Sequence, residues 1–170
     1  PSILEVPSMF QAARLIGKTL REVIKESAPA TGPDAESPFR ATLILGGQIA
    51  GSEPRLFMIY PEGNFVEASK ETPFFQIGET KYGRPILVRA HDPAMSFAEA
   101  VKLLMVSFDS TLKANLSVGL PLDLLLYETD SLDILKKTRI EEDDPYYNLI
   151  SDNWSEALKT AFASLPQYEV

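Results

Sequence analysis

Residues 39–78 read FRATLILGGQIAGSEPRLFMIYPEGNFVEASKETPFFQIG, and this stretch decides the fold class. FRATLILGGQI, RLFMIY, NFVEAS and FFQIG are short runs rich in β-branched and aromatic residues, parted by GSEP, PEG and KETP turns. Such runs predict four consecutive strands, mostly antiparallel. LILGG and LFMIY place apolar side chains on both faces, so the sheet is expected to be covered on two sides, as a middle layer.

Working outward, PSMFQAARLIGKTLREVIKES (7–27) carries Ser8 and Gln11 at capping-box spacing. Phe10, Ala13, Ile16, Leu20, Val23 and Ile24 fall on one helical face, with Arg14, Lys18, Arg21, Glu22 and Lys25 opposite. An amphipathic helix is predicted. SAPATGPDAESP (27–38) holds three prolines and no large apolar residue, and reads as an exposed, mobile connector.

On the other side, ETKYGRPILVRA (79–90) predicts a short helix with Pro85 in its first turn, where a missing amide hydrogen costs little. Ser96 and Glu99 form a second capping box for a helix to about Ala114, with Phe97, Val101, Leu104, Met105, Phe108 and Leu112 as its buried stripe. SVGLP breaks that pattern. LDLLLYE and ILKKTRI then read as two strands joined at TDSLD. Asp144 as N-cap and Pro145 at the first helical position open a last helix with Tyr147, Ile150, Trp154, Leu158, Ala161, Phe162 and Leu165 on one face. Blocks of strands and helices, rather than strict alternation, give an α+β class of helices layered on antiparallel sheet, and residues 1–170 are expected to form a single domain.

Composition excludes several functions. With 45% apolar and 24% charged residues the chain is of ordinary globular type. It has no cysteine, so disulfides, thiolate metal sites and cysteine nucleophiles are impossible, and no metal or cofactor is expected. The net charge of −8 repels phosphate backbones and anionic lipid, so neither nucleic acid nor a membrane is an expected partner. The longest apolar stretch, Leu120 to Tyr127, is interrupted by Pro121 and Asp123 and is far short of the ~20 residues that span a bilayer. No secretory signal is visible, which points to the cytoplasm. The first residue is Pro1 rather than methionine, as in a processed, trimmed or partial chain.

Few residues look chemical. The single histidine, His91 in RAHDP, has no positioned serine beside it and reads as a surface residue near a helix end. The acidic run Glu141 to Asp144 matches no calcium-binding loop and reads as a solvated turn into a helix. Gly46-Gly47 lacks any phosphate-loop pattern and reads as a place where a strand passes close to a neighbour. GETKYG (78–83) is more suggestive, because a strand ending there and leading into a helix presents backbone amides and a lysine near the helix start.

Five segments together carry a resemblance: SMFQAARLIGKTLREV; LILGGQI with RLFMIYPEGNFVEAS; FFQIGETKYGRPIL; SFDSTLKANLSVGLPLDLLLYE; and RIEEDDPYY. In this order they resemble the bacterial proteasome-type peptidase family called Anbu, the ancestral β-subunit family, most distinctively in IGETKYG and NLSVGLP-D. The resemblance implies the N-terminal nucleophile hydrolase fold, a four-layer αββα sandwich, here with the amino-terminal strands and first helix missing. It implies a threonine peptidase or amidohydrolase whose nucleophile, base and orienting aspartate lie in that missing segment, so no catalytic residue is expected among these 170. The alternative is a non-catalytic, self-assembling scaffold or peptide-binding subunit. Peptide substrate for the intact protein and self-association as a homo-oligomer are the implied partners, the latter through apolar faces that missing strands would leave uncovered.

The resemblance also singles out positions near an active site. GETKYG falls where related subunits have a glycine-serine-glycine turn that touches the catalytic threonine, which puts Glu79 and Thr80 nearest the site. NLSVG falls where they have an aspartate, two residues, then serine or threonine before glycine. Asn115 then takes the aspartate's place and Val118 the serine's, with Ser117 either standing in for that serine or making a helix-ending bond to the backbone.

Overall fold

A computed structural model describes residues 2–27 and 39–169. The connector expected at 27–38 lies, apart from Ser27, outside the described residues. After a 3-10 turn at Ile3–Glu5 the elements run α1 (Met9–Glu26), β1 (Leu43–Gly47), β2 (Arg55–Ile59), β3 (Phe65–Glu67), α2 (Arg84–Ala90), α3 (Phe97–Ala114), β4 (Leu122–Tyr127), β5 (Ile134–Ile140) and α4 (Pro145–Ala163). The class is α+β, as expected, with two small antiparallel sheets, β1-β2-β3 and β4-β5. The described residues group into two compact units, one reaching Ile77 and including Tyr127–Asp133, the other holding Gly78–Leu126 and the chain from Ile134 onward.

In the first unit, β1 pairs antiparallel with β2 (Leu45 opposite Phe57) and β2 with β3 (Ile59 opposite Phe65). This register puts Leu45, Phe57, Ile59 and Phe65 on one face, because strand side chains alternate. That face meets α1, and Phe57, Ile59 and Ala13 are fully buried there. Gly17 lets the helix sit directly on the 60–64 turn, since a Cβ at 17 would stand 2.3 Å from the Gly63 carbonyl oxygen. The arginines, lysines and glutamate assigned to the wet side of α1 are exposed.

One strand expectation fails. FFQIG forms no strand, so the first sheet has three members among the described residues rather than four. Its apolar residues are consistent with a strand, but a strand exists only where a ladder partner exists, and β3 stops at Glu67. Among the described residues of this unit α1 covers one face of the sheet; on the other, Leu56 and Met58 are half-buried and Ile44 and Val66 are each 40% exposed. Gly46-Gly47 lies in unbroken register, and a Cβ on Gly47 would stand 3.1 Å from Met9 Cε, so the pair serves close approach.

In the second unit, α3 opens with the reciprocal capping box of Ser96 and Glu99, and α4 with Asp144, whose carboxylate accepts from the Tyr147 amide at 2.8 Å. Pro85 and Pro145 both sit in first turns. The core gathers Met105, Ile140 and Tyr147 with half-buried Val101, Leu112, Leu122, Leu124 and Ile150. The predicted stripe of α3 is only partly right. At 100° per residue, Leu103, Ser107 and Thr111 make one buried row and Met105 and Asp109 another, while Phe97, Leu104 and Phe108 lie between them and stay partly exposed. The stripe of α4 is likewise buried only at its start: Tyr147 is buried, whereas Leu158, Phe162 and Leu165 are exposed.

Candidate functional site

Gly78 takes a left-handed φ of 79° at the head of the turn that leads into α2. The Glu79 carboxylate accepts from the Lys81 amide at 2.8 Å through one oxygen and from Asn115 Nδ2 at 2.9 Å through the other. Asn115 is the residue that ends α3, its amide donating to the Thr111 carbonyl at 2.9 Å. Its side-chain oxygen in turn accepts from the Ser117 amide at 2.9 Å and from Ser117 Oγ at 2.7 Å. The result is a polar network, Glu79–Asn115–Ser117, with every side-chain atom oriented by a neighbour. The Lys81 amide above all, with the Asn115 amide and the Lys81 charge adding to it, holds the Glu79 carboxyl below the usual carboxylate range.

The turn has a second anchor. Gly83 is buried against α3, where a Cβ would stand 2.4 Å from Ser107 Oγ, 2.9 Å from the Ser107 carbonyl oxygen and 3.0 Å from Thr111 Oγ1. GETKYG is thus fixed to α3 at both ends, by a hydrogen bond at Glu79 and by backbone contact at Gly83.

Of the residues singled out by resemblance, Glu79, Asn115 and Ser117 are brought together, and Thr80 enters through its backbone, its carbonyl accepting from the Arg84 amide at 3.2 Å. Val118 donates its amide to the Asn115 carbonyl at 3.1 Å. Ser117 bonds the side chain of Asn115 rather than the helix backbone. His91 ends α2 with its amide on the Leu87 carbonyl. Glu141 pairs with Arg139 at 3.1 Å, and Asp144 is occupied in capping. Among the described residues no group of three or more His, Asp or Glu side chains could hold a metal ion, and no helix is long and apolar enough to cross a membrane. The apolar hollow beside α1, lined by Ile16, Leu20, Phe39 and Leu43, includes none of these residues, and the one lined by Phe97, Val101, Leu124 and Tyr146 includes only Asp144 of them.

The sequence reading missed the buried polar residues of α3. Asp109 is only 2% exposed, accepts from Tyr147 OH at 3.4 Å and faces Lys113 Nζ at 3.4 Å. Lys113 Nζ also donates to Ser151 Oγ at 2.8 Å and Ser155 Oγ at 3.0 Å on α4. The available signal was Asp109 and Lys113 at the i, i+4 spacing of a helical ion pair. Burial and the nearby Asp109 charge push the Tyr147 hydroxyl up to about 12.

A three-stranded sheet under one helix and a strand pair with its helices make an α+β body, and similarity to solved structures places it in the N-terminal nucleophile hydrolase class. Solved structures give the family. Anbu from Hyphomicrobium sp. strain MC1 is 46% identical with a TM-score of 0.90, over 100% of this chain and 68% of that one. Anbu from Yersinia bercovieri is 45% identical with a TM-score of 0.90, over 100% and 70%. Anbu from Pseudomonas aeruginosa, solved as a helical assembly, is 42% identical with a TM-score of 0.89, over 97% and 68%. No protein-family model and no curated protein matches the sequence. The chain belongs to the Anbu family of ancestral proteasome β-subunits.

Proposed function

We propose that these residues are the body of a proteasome-like threonine peptidase or amidohydrolase subunit, and that the Glu79–Asn115–Ser117 network buttresses an active site whose nucleophile the rest of the subunit supplies. The observation that carries this reading is the network itself, in which a carboxylate, an amide and a hydroxyl on two loops are fully oriented although none caps a helix amino terminus. Such preorganised polar groups are what catalysis by positioning requires. The apolar face of Ile44, Leu56, Met58 and Val66 supports a further layer against the first sheet, as the implied sandwich has.

The test is peptide turnover by the intact subunit. Cleavage of a fluorogenic peptide, lost on replacing an amino-terminal threonine by alanine, is expected, and Asn115→Ala should lower kcat with KM little changed. An intact subunit that cleaves neither peptides nor amides sinks the peptidase reading. The scaffold reading then takes its place, favoured by the helical assembly of the Pseudomonas aeruginosa relative. Self-association of this chain follows under either reading.

A further inference from the structure

The charged network between α3 and α4 bears on the same site. Asp109 is a carboxylate almost without solvent contact, yet its two partners stand at 3.4 Å, long for charge-assisted bonds. Removing a carboxylate from water costs several kcal/mol, and loose pairing recovers little of it, so stability alone is a poor account of this residue. Its geometry does something more specific. Asp109 Oδ2 faces the Lys113 ammonium, and that ammonium reaches the hydroxyls of Ser151 and Ser155, so the final turn of α3 is tied to two successive turns of α4. Two residues beyond Lys113 comes Asn115, whose amide closes the helix on Thr111 and whose side chain holds Glu79. On another side of the same helix end, Gly83 abuts Ser107 and Thr111. Rotation of the last turn would carry Asn115 Nδ2 away from Glu79. The lysine tie and the glycine contact act against such a rotation, beside the helix's own bond from the Asn115 amide to the Thr111 carbonyl.

We propose that Asp109, acting through Lys113, is a positioning residue for the Glu79–Asn115–Ser117 site. The proposal rests on the reading of that network as functional, but it concerns the network's geometry and is tested without turnover. The readout is the titration of the Glu79 side-chain carboxyl, followed by carbon NMR in the intact subunit. In the unaltered protein its midpoint lies below the ordinary glutamate value, and the Asn115 amide supplies part of that lowering. Asn115→Ala should raise the midpoint.

Asp109→Asn separates positioning from simple electrostatics by sign. Deleting a neighbouring negative charge, with nothing else changed, lowers the midpoint of another carboxyl. Loosening Asn115 raises it. A raised midpoint in Asp109→Asn, with a smaller rise in the uncharged substitution Tyr147→Phe, supports the proposal. If Asp109→Asn does not fold, Tyr147→Phe carries the test. An unchanged or lowered midpoint in a folded Asp109→Asn, or an unchanged one in Asn115→Ala, overturns it. An intact subunit without peptidase activity that still shows the rise defeats the proposed function and leaves the positioning role standing.

Discussion

Helices α1 and α3 are both 18 residues long and both open on a serine cap, yet they are buried by different means. α1 presents one apolar row, Met9, Ala13, Gly17 and Leu20, to a single sheet face, and its contacts are hydrocarbon or bare backbone. α3 is covered on two sides, by the turn before α2 along Ser107 and Thr111 and by α4 along Met105 and Asp109, and three of its five buried residues are polar. A helix on a sheet needs only bulk. A helix end that must hold two neighbours at a fixed rotation uses directional contacts, at a cost in desolvation that an apolar seam avoids.

The largest test of this contrast lies in the first unit. Phe57 is fully buried between α1 and Phe65, whose ring stands 5.7 Å away at 85°. Phe57→Ala should cost about 3–5 kcal/mol in urea unfolding, the usual loss for a buried aromatic. A loss below about 1 kcal/mol would mean that the site collapses freely and that this core is not the tightly packed one described.

Next is Tyr147, where the polar seam has a pH signature. Its folded-state value of about 12 stands above the ~10 of an unfolded tyrosine. The protonated hydroxyl is therefore favoured by folding, and the stability it contributes is intact below pH ~10 and lost as pH rises toward 12. The full effect is on the order of 2–3 kcal/mol. Alkaline unfolding of Tyr147→Phe should lack this portion of the decline. Parallel alkaline curves for the two proteins would show that the hydroxyl is wetter than its burial implies.

The third test is Gly83→Ala. The added methyl meets a backbone carbonyl oxygen at 2.9 Å as well as Ser107 Oγ at 2.4 Å, so a rotamer change of Ser107 relieves only half the clash. The expected cost is about 1–3 kcal/mol, with Ser107→Ala recovering part of it. Complete recovery would show that only the hydroxyl, not the backbone, sets the approach.

The same contrast explains what the sequence revealed. Amphipathic α1, the proline-led α2 and α4, the serine cap of α3 and the β4–β5 pair were legible, because caps, prolines and apolar period are local properties. FFQIG misled for the complementary reason, since pairing is a long-range fact that its composition does not carry. The buried polar residues Ser107, Asp109 and Thr111 were invisible to an apolar period, as a buried serine and an exposed one look alike in sequence. Of the candidate site, the positions came from resemblance. Only the left-handed Gly78 and the i, i+2 bonding of Asn115 with Ser117 belong to motifs whose geometry residue type favours.

The smallest effects lie in the two serine caps, which spacing alone made equivalent. Ser8 accepts from the Gln11 amide at 3.2 Å, and among the described residues that is the extent of the motif in α1. In α3 the box closes: Ser96 Oγ accepts from the Glu99 amide at 3.3 Å, and Glu99 Oε2 accepts from the Ser96 amide at 2.9 Å and hydroxyl at 2.7 Å. Each serine-to-alanine change should cost ~1 kcal/mol. The distinction appears in double-mutant cycles, where Ser96 and Glu99 should couple and Ser8 and Gln11 should not. It appears in acid as well. The Ser96 hydroxyl, and after it the Ser96 amide, hold the Glu99 carboxyl below its usual range. Folding therefore favours the ionised form, and the stability gained is present above the ordinary glutamate value and lost as pH falls through the folded one. The Ser96–Glu99 coupling should accordingly fade on acidification. If it persists in acid, neutral hydrogen bonding rather than the carboxylate closes the box, and the two caps differ less than their geometry indicates.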